Sequence, residues 1–257
     1  EQQFGVKWDW DAFWKNAEMY NESSRCMIEK WDVNCTEHPQ VCGAALALQR
    51  EYEFMAAACM DKFMLKTDRR VTKMMLKGYE QDKAANAPQP KYRCLVWACP
   101  AHYYTNFTYW TQHCWGVTCV NDMEAMLSYL PITIGDKEQA LADLVRCYEK
   151  MMMRSHTNGG YVNLLDECWK MCEKFHTNIV IMYDHVSCKN VGGLHGLFED
   201  QARERGIHLI WIPHDVMDPR TVSRREMREA FSQYMVTVLN EKPLDPTLLD
   251  YEDTLSW

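Results

Sequence analysis

The sequence has no long hydrophobic run and no basic tract. Its longest apolar stretches, such as Cys94–Cys99 and Ile179–Tyr183, are far shorter than the roughly 18 residues of a bilayer-spanning helix. With 28 Lys and Arg against 36 Asp and Glu the net charge is −8, which argues against a nucleic-acid backbone as the main partner. The composition, 47% hydrophobic and 25% charged, is that of a globular protein. We therefore expect a cytoplasmic protein that spans no membrane and binds no nucleic acid.

Common cofactor motifs are also missing. The chain has no GxGxxG and no GxxxxGK[ST], so neither a dinucleotide nor a P-loop nucleotide is indicated. Its 12 cysteines include no CxxC pair, and the chain is larger than disulfide-stapled secreted domains, so a reducing compartment fits better. The run from Cys94 to Cys119 holds four cysteines and two histidines, but their spacing matches no standard zinc finger. Structural zinc is therefore not favoured.

The first third of the chain shows a helical pattern. From Trp8 to about Tyr79, apolar residues recur every three or four positions, which is typical of amphipathic helices. Within this part, a second helix is predicted over 39–60 and a third over 67–83. The segment Ala84–Pro90, with two prolines, then breaks the helix. We predict a helical linker and partner-packing segment over 1–86 and an α/β domain over 87–257.

Beyond residue 90, short apolar runs alternate with amphipathic helical patterns. This alternation is typical of a parallel sheet covered on both faces, so we predict a doubly wound, mainly parallel four-stranded sheet of the flavodoxin or Rossmann type. The strands are predicted at 92–98, 117–121, 178–183 and 207–212, and the helices at 105–115, 137–153, 160–175, 193–205 and 223–239. Helix 137–153 shows the clearest period, with an apolar face made of Leu141, Leu144, Val145, Tyr148 and Met152.

The residues that follow the predicted strands are chemically reactive in type. In chain order these segments contain Cys99 and His102, Asp122 and Glu124, the run Asp184–Cys188, and His214 with Asp215. The carboxyl ends of parallel strands meet at one edge of a sheet, where ligands bind in doubly wound folds. We therefore expect a crevice that collects cysteine, histidine and carboxylate side chains.

Cys188 is the leading metal-ligand candidate. It lies in a strand-to-helix loop just before Gly192-Gly193, where backbone N–H groups and a helix dipole favour a thiolate. A thiolate is a nucleophile or a metal ligand, whereas an ordinary buried cysteine acts as a small hydrophobic residue. Cys99, which ends another strand at the same crevice, is the alternative ligand if a cluster is held locally.

Three histidines, His102, His185 and His214, are candidate proton donors at this crevice. For any one of them, a satisfied position in the core is the commoner outcome. The aromatic stretch from Tyr103 to Trp110 could wall a flat ligand or could pack a helix on the sheet. The arginines between Arg220 and Arg228 could clamp phosphates, although most such runs form solvated helix faces.

Together these segments carry a family resemblance. The run Asp184–Lys189, then Gly206-Ile207, then His214–Ser223 with its Asp-Pro-Arg, and Met227-Arg228 before a last helix, resemble the carboxyl-terminal domain of the 2-hydroxyacyl-CoA dehydratase and benzoyl-CoA reductase family. The Ser-Cys-Lys form is similar to the larger of the two cluster-bearing subunits. The upstream Lys7–Asp11 segment and Asn21 resemble the helical linker of those subunits, so the resemblance covers nearly the whole chain.

The resemblance implies a subunit that holds a [4Fe-4S] cluster beside an acyl-CoA site. It also implies partners: a homologous smaller cluster subunit, ATP-hydrolysing activator subunits and a ferredoxin-like donor. One family cluster cysteine maps onto Cys188, so the other ligands are expected outside this chain, in an amino-terminal domain. For the acyl-CoA substrate, we expect contacts with Tyr103, Tyr104, Ser187, Asn190 and Glu124.

Three functions remain open at this stage. The leading hypothesis is a subunit of an ATP-dependent benzoyl-CoA reductase, in which ferredoxin-derived electrons reduce the aryl ring one at a time; the aromatic stretch mildly favours this flat substrate. The alternative within the family is a 2-hydroxyacyl-CoA dehydratase, which eliminates water through a ketyl radical. A non-catalytic electron-transfer or scaffold subunit, which binds a partner through its Trp-rich helices, is the alternative from another class.

Overall fold

The computed structural model describes residues 3–58, 62–125, 130–150 and 160–250. Its first third is helical, with α1 at Trp10–Asn34, α2 at Ala44–Ala58 and α3 at Lys62–Ala84. Helix α3 begins before the predicted residue 67, because Met64 and Leu65 extend its buried face. The end of the predicted second helix, residues 59–60, lies outside the described residues. Of the described helices, none is long and apolar enough to cross a membrane.

The rest of the chain alternates strands and helices, and the predicted α/β class is confirmed. The elements are β1 (Tyr92–Trp97), α4 (Phe107–Trp115), β2 (Val117–Asp122), a 3-10 turn (Met123–Ala125), α5 (Lys137–Lys150), α6 (Gly160–Lys174), β3 (Ile179–His185), α7 (Lys189–Gly192), α8 (His195–Arg205), β4 (His208–His214), α9 (Arg224–Thr237) and a second 3-10 turn (Pro246–Leu248). The last predicted residues of α5, 151–153, lie outside the described part of the chain.

The four strands are parallel and lie in the order β2-β1-β3-β4. From β1 the chain proceeds to β2 on one side and then crosses to β3 on the other. The carboxyl ends of β1 and β3 therefore form the topological switch point, where such sheets bind ligands.

Both faces of the sheet are buried, as the continuous apolar runs predict. Cys94 and Val96 of β1 face a core formed with α4 and α9. Leu95 and Trp97 face the opposite core, formed with α6 and α8. All four side chains are fully buried, so alternate residues of one strand serve two cores.

The helical segment packs against the first of these cores. Trp31 of α1, Leu46 of α2 and Met75 of α3 belong to the same buried cluster as β1 and β2. The buried Asn34 amide donates to the carbonyls of Val41 and Val120, both at 2.8 Å, and so joins α1 to β2. The division of the chain at residues 86 and 87 into two units stays a prediction.

Helix α5 buries only part of its predicted apolar face. Leu144 of that face is partly buried against a cluster that contains Ala140 and Ala17 of α1, whereas Leu141, Val145 and Tyr148 are 42%, 56% and 53% exposed. The helix therefore packs on α1 through Ala140 and Leu144.

Helices α1 and α3 are joined by a buried ion pair and by an exposed one. Lys30 Nζ lies 3.2 Å from Asp68 Oδ1, with the two side chains only 2% and 1% exposed, and the Ser23 hydroxyl donates to the other Asp68 oxygen. One residue further along α3, Arg69 pairs with Glu22 at the surface.

These two pairs predict different costs of mutation. Asp68→Asn should lower the free energy of unfolding by about 3–5 kcal/mol, because it leaves the Lys30 ammonium buried without its counter-charge. Arg69→Ala, the matched control between the same helices, should cost less than about 1 kcal/mol because its pair is exposed. Urea unfolding of both variants measures the difference, and equal costs would contradict the reasoning.

Candidate functional site

Three of the predicted crevice residues converge. The ligand atoms of Cys99, His102 and Glu124 all lie within 4.8 Å of one another, and each residue is partly buried. Cys99 Sγ is 3.8 Å from His102 Nε2. A thiol, an imidazole and a carboxylate at this spacing are a donor set that can bind a metal ion or handle protons.

The loop after β1 places the first two of these residues. Ala98 adopts a left-handed conformation with φ of 64°, which is uncommon for a residue with a side chain and turns the chain sharply as the strand ends. The His102 amide then donates to the Val216 carbonyl beyond β4 at 2.9 Å. The loop is therefore fixed both where it leaves the sheet and where it passes the last strand.

Glu124 is held by a buried network at the end of β2. Its amide donates to Asp122 Oδ1 at 2.8 Å, and Asp122 Oδ2 accepts from Arg50 Nη1 of α2, also at 2.8 Å. Arg50 Nε lies 3.9 Å from Glu124 Oε2, with the arginine side chain 3% exposed. Arg50 could not be predicted from the sequence, because it belongs to no motif and its helix is far along the chain from the residues that follow the strands.

Burial controls the protonation of these groups. It raises the pKa of the Cys99 thiol to about 12, and the nearby Glu124 carboxylate adds to the shift, so the metal-free thiol is neutral at neutral pH. For Arg50, burial lowers the pKa, but the Asp122 carboxylate outweighs it and the pKa rises. Arg50 therefore stays charged beside the site.

The two histidines at the ends of β3 and β4 lie side by side. His185 and His214 are register partners, and their ring centroids are 5.5 Å apart. His214 is fully buried, and burial, followed by the neighbouring His185, lowers its pKa to about 4. Hydrogen bonds with the backbone of Cys99 and Asp184 act in the opposite direction but are outweighed by burial, so His214 is a neutral imidazole at neutral pH. His185 is only half-buried.

Cys188 lies apart from the convergent group. It is half-buried and precedes α7, which is a single turn, while α8 begins only at His195. A helix of one turn has a weaker dipole at its amino end than a long helix, so it favours a thiolate at Cys188 less. The neighbouring Ser187 and Asn190 are exposed.

The described residues do not by themselves fit a [4Fe-4S] cluster. Such a cube is held mainly by cysteine thiolates. The one close group of three potential ligands in the described ranges contains a single thiol, that of Cys99. Cys188 supplies at most one further contact, so the donor set of the described residues is that of a single ion.

The aromatic and basic side chains that were candidates for ligand contacts bind other groups of the protein. The Tyr103 hydroxyl donates to the Val222 carbonyl at 2.6 Å, and the buried Tyr104 hydroxyl accepts from Arg228 at 2.9 Å. Further along the stretch, Phe107 and Trp110 lie in the core. The other arginines of the run contact Asp218, the Tyr103 carbonyl and Glu229. A role of Tyr103 and Tyr104 in substrate binding stays a prediction.

A further histidine lies next to the crevice. His195, the first residue of α8, stacks on Trp211 with ring centroids 3.5 Å apart, and its Nε2 is 3.3 Å from Asp184 Oδ2. Sequence reasoning named Asp184 but not His195. The only available signal was that a helix start follows the Gly192-Gly193 turn.

The Arg50–Asp122 pair should hold the site residues in place. Asp122→Asn should cost about 3–5 kcal/mol of unfolding free energy, because the Arg50 guanidinium would be buried beside a neutral amide. The triple variant Arg50→Met, Asp122→Asn and Glu124→Gln should lose less, since none of the three side chains then carries a charge. Urea titrations compare the variants; a triple variant less stable than Asp122→Asn would contradict this assignment.

Comparison with known proteins bears on the origin of this site. A family model described as 2-hydroxyglutaryl-CoA dehydratase, D-component, matches residues 1–235. The matched range includes the helical segment, all four strands and every residue of the convergent group. No curated protein matches the chain. Because the family model covers most of the sequence, the chain belongs to the 2-hydroxyglutaryl-CoA dehydratase D-component family.

Proposed function

We propose that the chain is a component of a 2-hydroxyacyl-CoA dehydratase, a lyase that removes water from a 2-hydroxyacyl-CoA to give the enoyl product. The observation that carries this proposal is the match of the dehydratase family model to residues 1–235. The crevice at the carboxyl ends of β1 and β3 supports it, because ligands of doubly wound sheets bind at such switch points.

The reaction requires two proton transfers. One base takes the proton from C3 of the substrate, and one acid protonates the departing 2-hydroxyl group. We assign these transfers to His185 and His102, which are partly exposed and so accessible to a substrate. We propose that His214 forms part of the wall of the crevice as a neutral side chain, because its pKa of about 4 keeps the imidazole uncharged. Ser187, Asn190 and Glu124 are our candidates for polar contacts with the acyl-CoA.

The proposal includes an iron–sulfur cluster shared with other parts of the enzyme. Cys188 is our candidate for the one ligand from this chain, and the remaining ligands would come from outside it. When bound, a low-potential cluster supplies the single electron that the thioester accepts before the hydroxyl leaves. The partners that we propose are a homologous smaller cluster subunit, ATP-hydrolysing activator subunits and a ferredoxin-like donor.

A benzoyl-CoA reductase, the leading hypothesis from the sequence, becomes the second candidate. It was favoured by the aromatic stretch, but Tyr104, Phe107 and Trp110 are buried in the core, so packing accounts for them. The dehydratase fits the family description better. A scaffold subunit without a catalytic role would bind neither class of acyl-CoA at this crevice.

Electron stoichiometry separates these candidates. A dehydratase regains its electron at the end of each turnover, so the complete enzyme should need only brief priming by a reduced donor to convert many equivalents of 2-hydroxyacyl-CoA. A ring reductase consumes donor with every turnover. Parallel measurement of donor oxidation and enoyl-CoA formation decides between them. Continuous donor oxidation with benzoyl-CoA, and no enoyl product, would replace the dehydratase with the reductase.

The cluster assignment is tested at Cys188. In the complete enzyme, Cys188→Ala should abolish cluster incorporation and leave the fold intact, because the residue lies half-buried in a loop above the sheet. Cys35→Ala is the matched control: that cysteine is also half-buried, but the carbonyls on either side of it bind Arg93 at the amino end of β1, opposite the carboxyl ends that form the crevice. Iron and sulfide content and circular dichroism are the measurements. A normal iron load in the Cys188 variant would refute the assignment.

A further inference from the structure

The convergence of Cys99, His102 and Glu124 supports a site separate from the cluster ligand Cys188. We propose that these three side chains bind a single divalent zinc-type ion. Their ligand atoms already lie within 4.8 Å of one another. This inference rests on the donor set and its geometry and not on the proposed dehydratase function. Where the ion is bound, it replaces the proton transfer proposed for His102 and the acyl-CoA contact proposed for Glu124, and His185 remains as the proton-transfer residue.

The distances suit one ion. With Zn–S of about 2.3 Å and Zn–N of about 2.05 Å, tetrahedral ligands are roughly 3.6 Å apart. Cys99 Sγ and His102 Nε2 are 3.8 Å apart, so these two ligands need almost no movement. Glu124 needs at most a small side-chain rotation to reach the same point. The donors therefore lie at the spacing of a mononuclear site.

Charge also favours a divalent ion. When an ion displaces the proton of Cys99 into the solvent, the resulting thiolate and the Glu124 carboxylate place two negative charges in a region where the Glu124 side chain is only 8% exposed. Arg50 already pairs with Asp122 at 2.8 Å and lies 3.9 Å from Glu124, so it neutralises the site only in part. An ion of charge +2 balances the thiolate and the Glu124 carboxylate.

The backbone holds the donors in position before an ion binds. The left-handed Ala98 turns the chain immediately before Cys99, the His102 amide is bound to the Val216 carbonyl, and the Glu124 amide is bound to Asp122. Three protein ligands of the S, N and O type are typical of zinc sites with an open fourth position. The partial exposure of all three residues gives the ion a path of entry.

The test is metal binding to the full chain, freed of any affinity tag. We expect one Zn²⁺ per chain by equilibrium dialysis, and with Co²⁺ a thiolate-to-cobalt charge-transfer band in the near ultraviolet. Cys99→Ser should abolish that band. His102→Asn and Glu124→Gln should each weaken Zn²⁺ binding by at least about 100-fold, more than the loss of a residue that merely positions a ligand.

Controls separate this site from other thiols and from the cluster. Cys188→Ser and Cys35→Ser should keep both the zinc stoichiometry and the cobalt band. Circular dichroism of each metal-free variant verifies that it is folded. A cobalt band that survives Cys99→Ser, or that disappears with Cys188→Ser, would overturn the proposal. So would zinc affinities that are equal in the wild-type chain and the three ligand variants.

Discussion

The buried ion pair between Arg50 and Asp122 is the interaction on which the site depends. It joins α2 to the carboxyl end of β2 at 2.8 Å, with side chains 3% and 1% exposed. Two charges leave water only where each compensates the other and further hydrogen bonds satisfy their remaining atoms. Asp122 meets this requirement by also accepting the Glu124 amide. One carboxylate thus anchors a helix to the sheet and fixes the turn that carries Glu124.

Much of the fold was predictable because both faces of the sheet are buried. That burial demands short, continuous apolar runs such as Cys94–Trp97 and Ile179–Tyr183, whose length and β-branched or aromatic residues favour strands over helices. Orientation was harder to predict. In α5 the period identified the helix, but most of the described apolar face is exposed, because periodicity shows that a face is apolar and not what lies opposite it. The contact with α1 is formed by Leu144 of that face and by Ala140, whose small size leaves little trace in the pattern.

The sequence predicted at which edge of the sheet the site residues lie, but not which of them come close together. Cys99, His102 and Glu124 were each predicted as site residues because they follow strands. Their predicted roles differed: an alternative cluster ligand, a proton donor and a contact to the acyl-CoA. Their convergence depends on the left-handed turn at Ala98. This turn cannot be predicted from the residue type, because alanine rarely adopts a left-handed conformation. Arg50 and His195 come from helices, and only the tertiary structure brings them to the strand ends. Cys188, the residue favoured by resemblance, follows a strand further along the sheet.

The order of the strands sets the order in which these features can form. Cys99, His102 and Glu124 all belong to the first strand–helix–strand unit, which spans β1, α4 and β2. Arg50, which steadies that unit, precedes it in the chain. The Val216 carbonyl that holds the His102 amide lies beyond β4, so Arg50 and Glu124 can reach their positions early in synthesis, whereas His102 is fixed only after residue 216 has emerged. The crevice at β1 and β3 forms only after residue 185 has emerged, so it too requires the finished sheet.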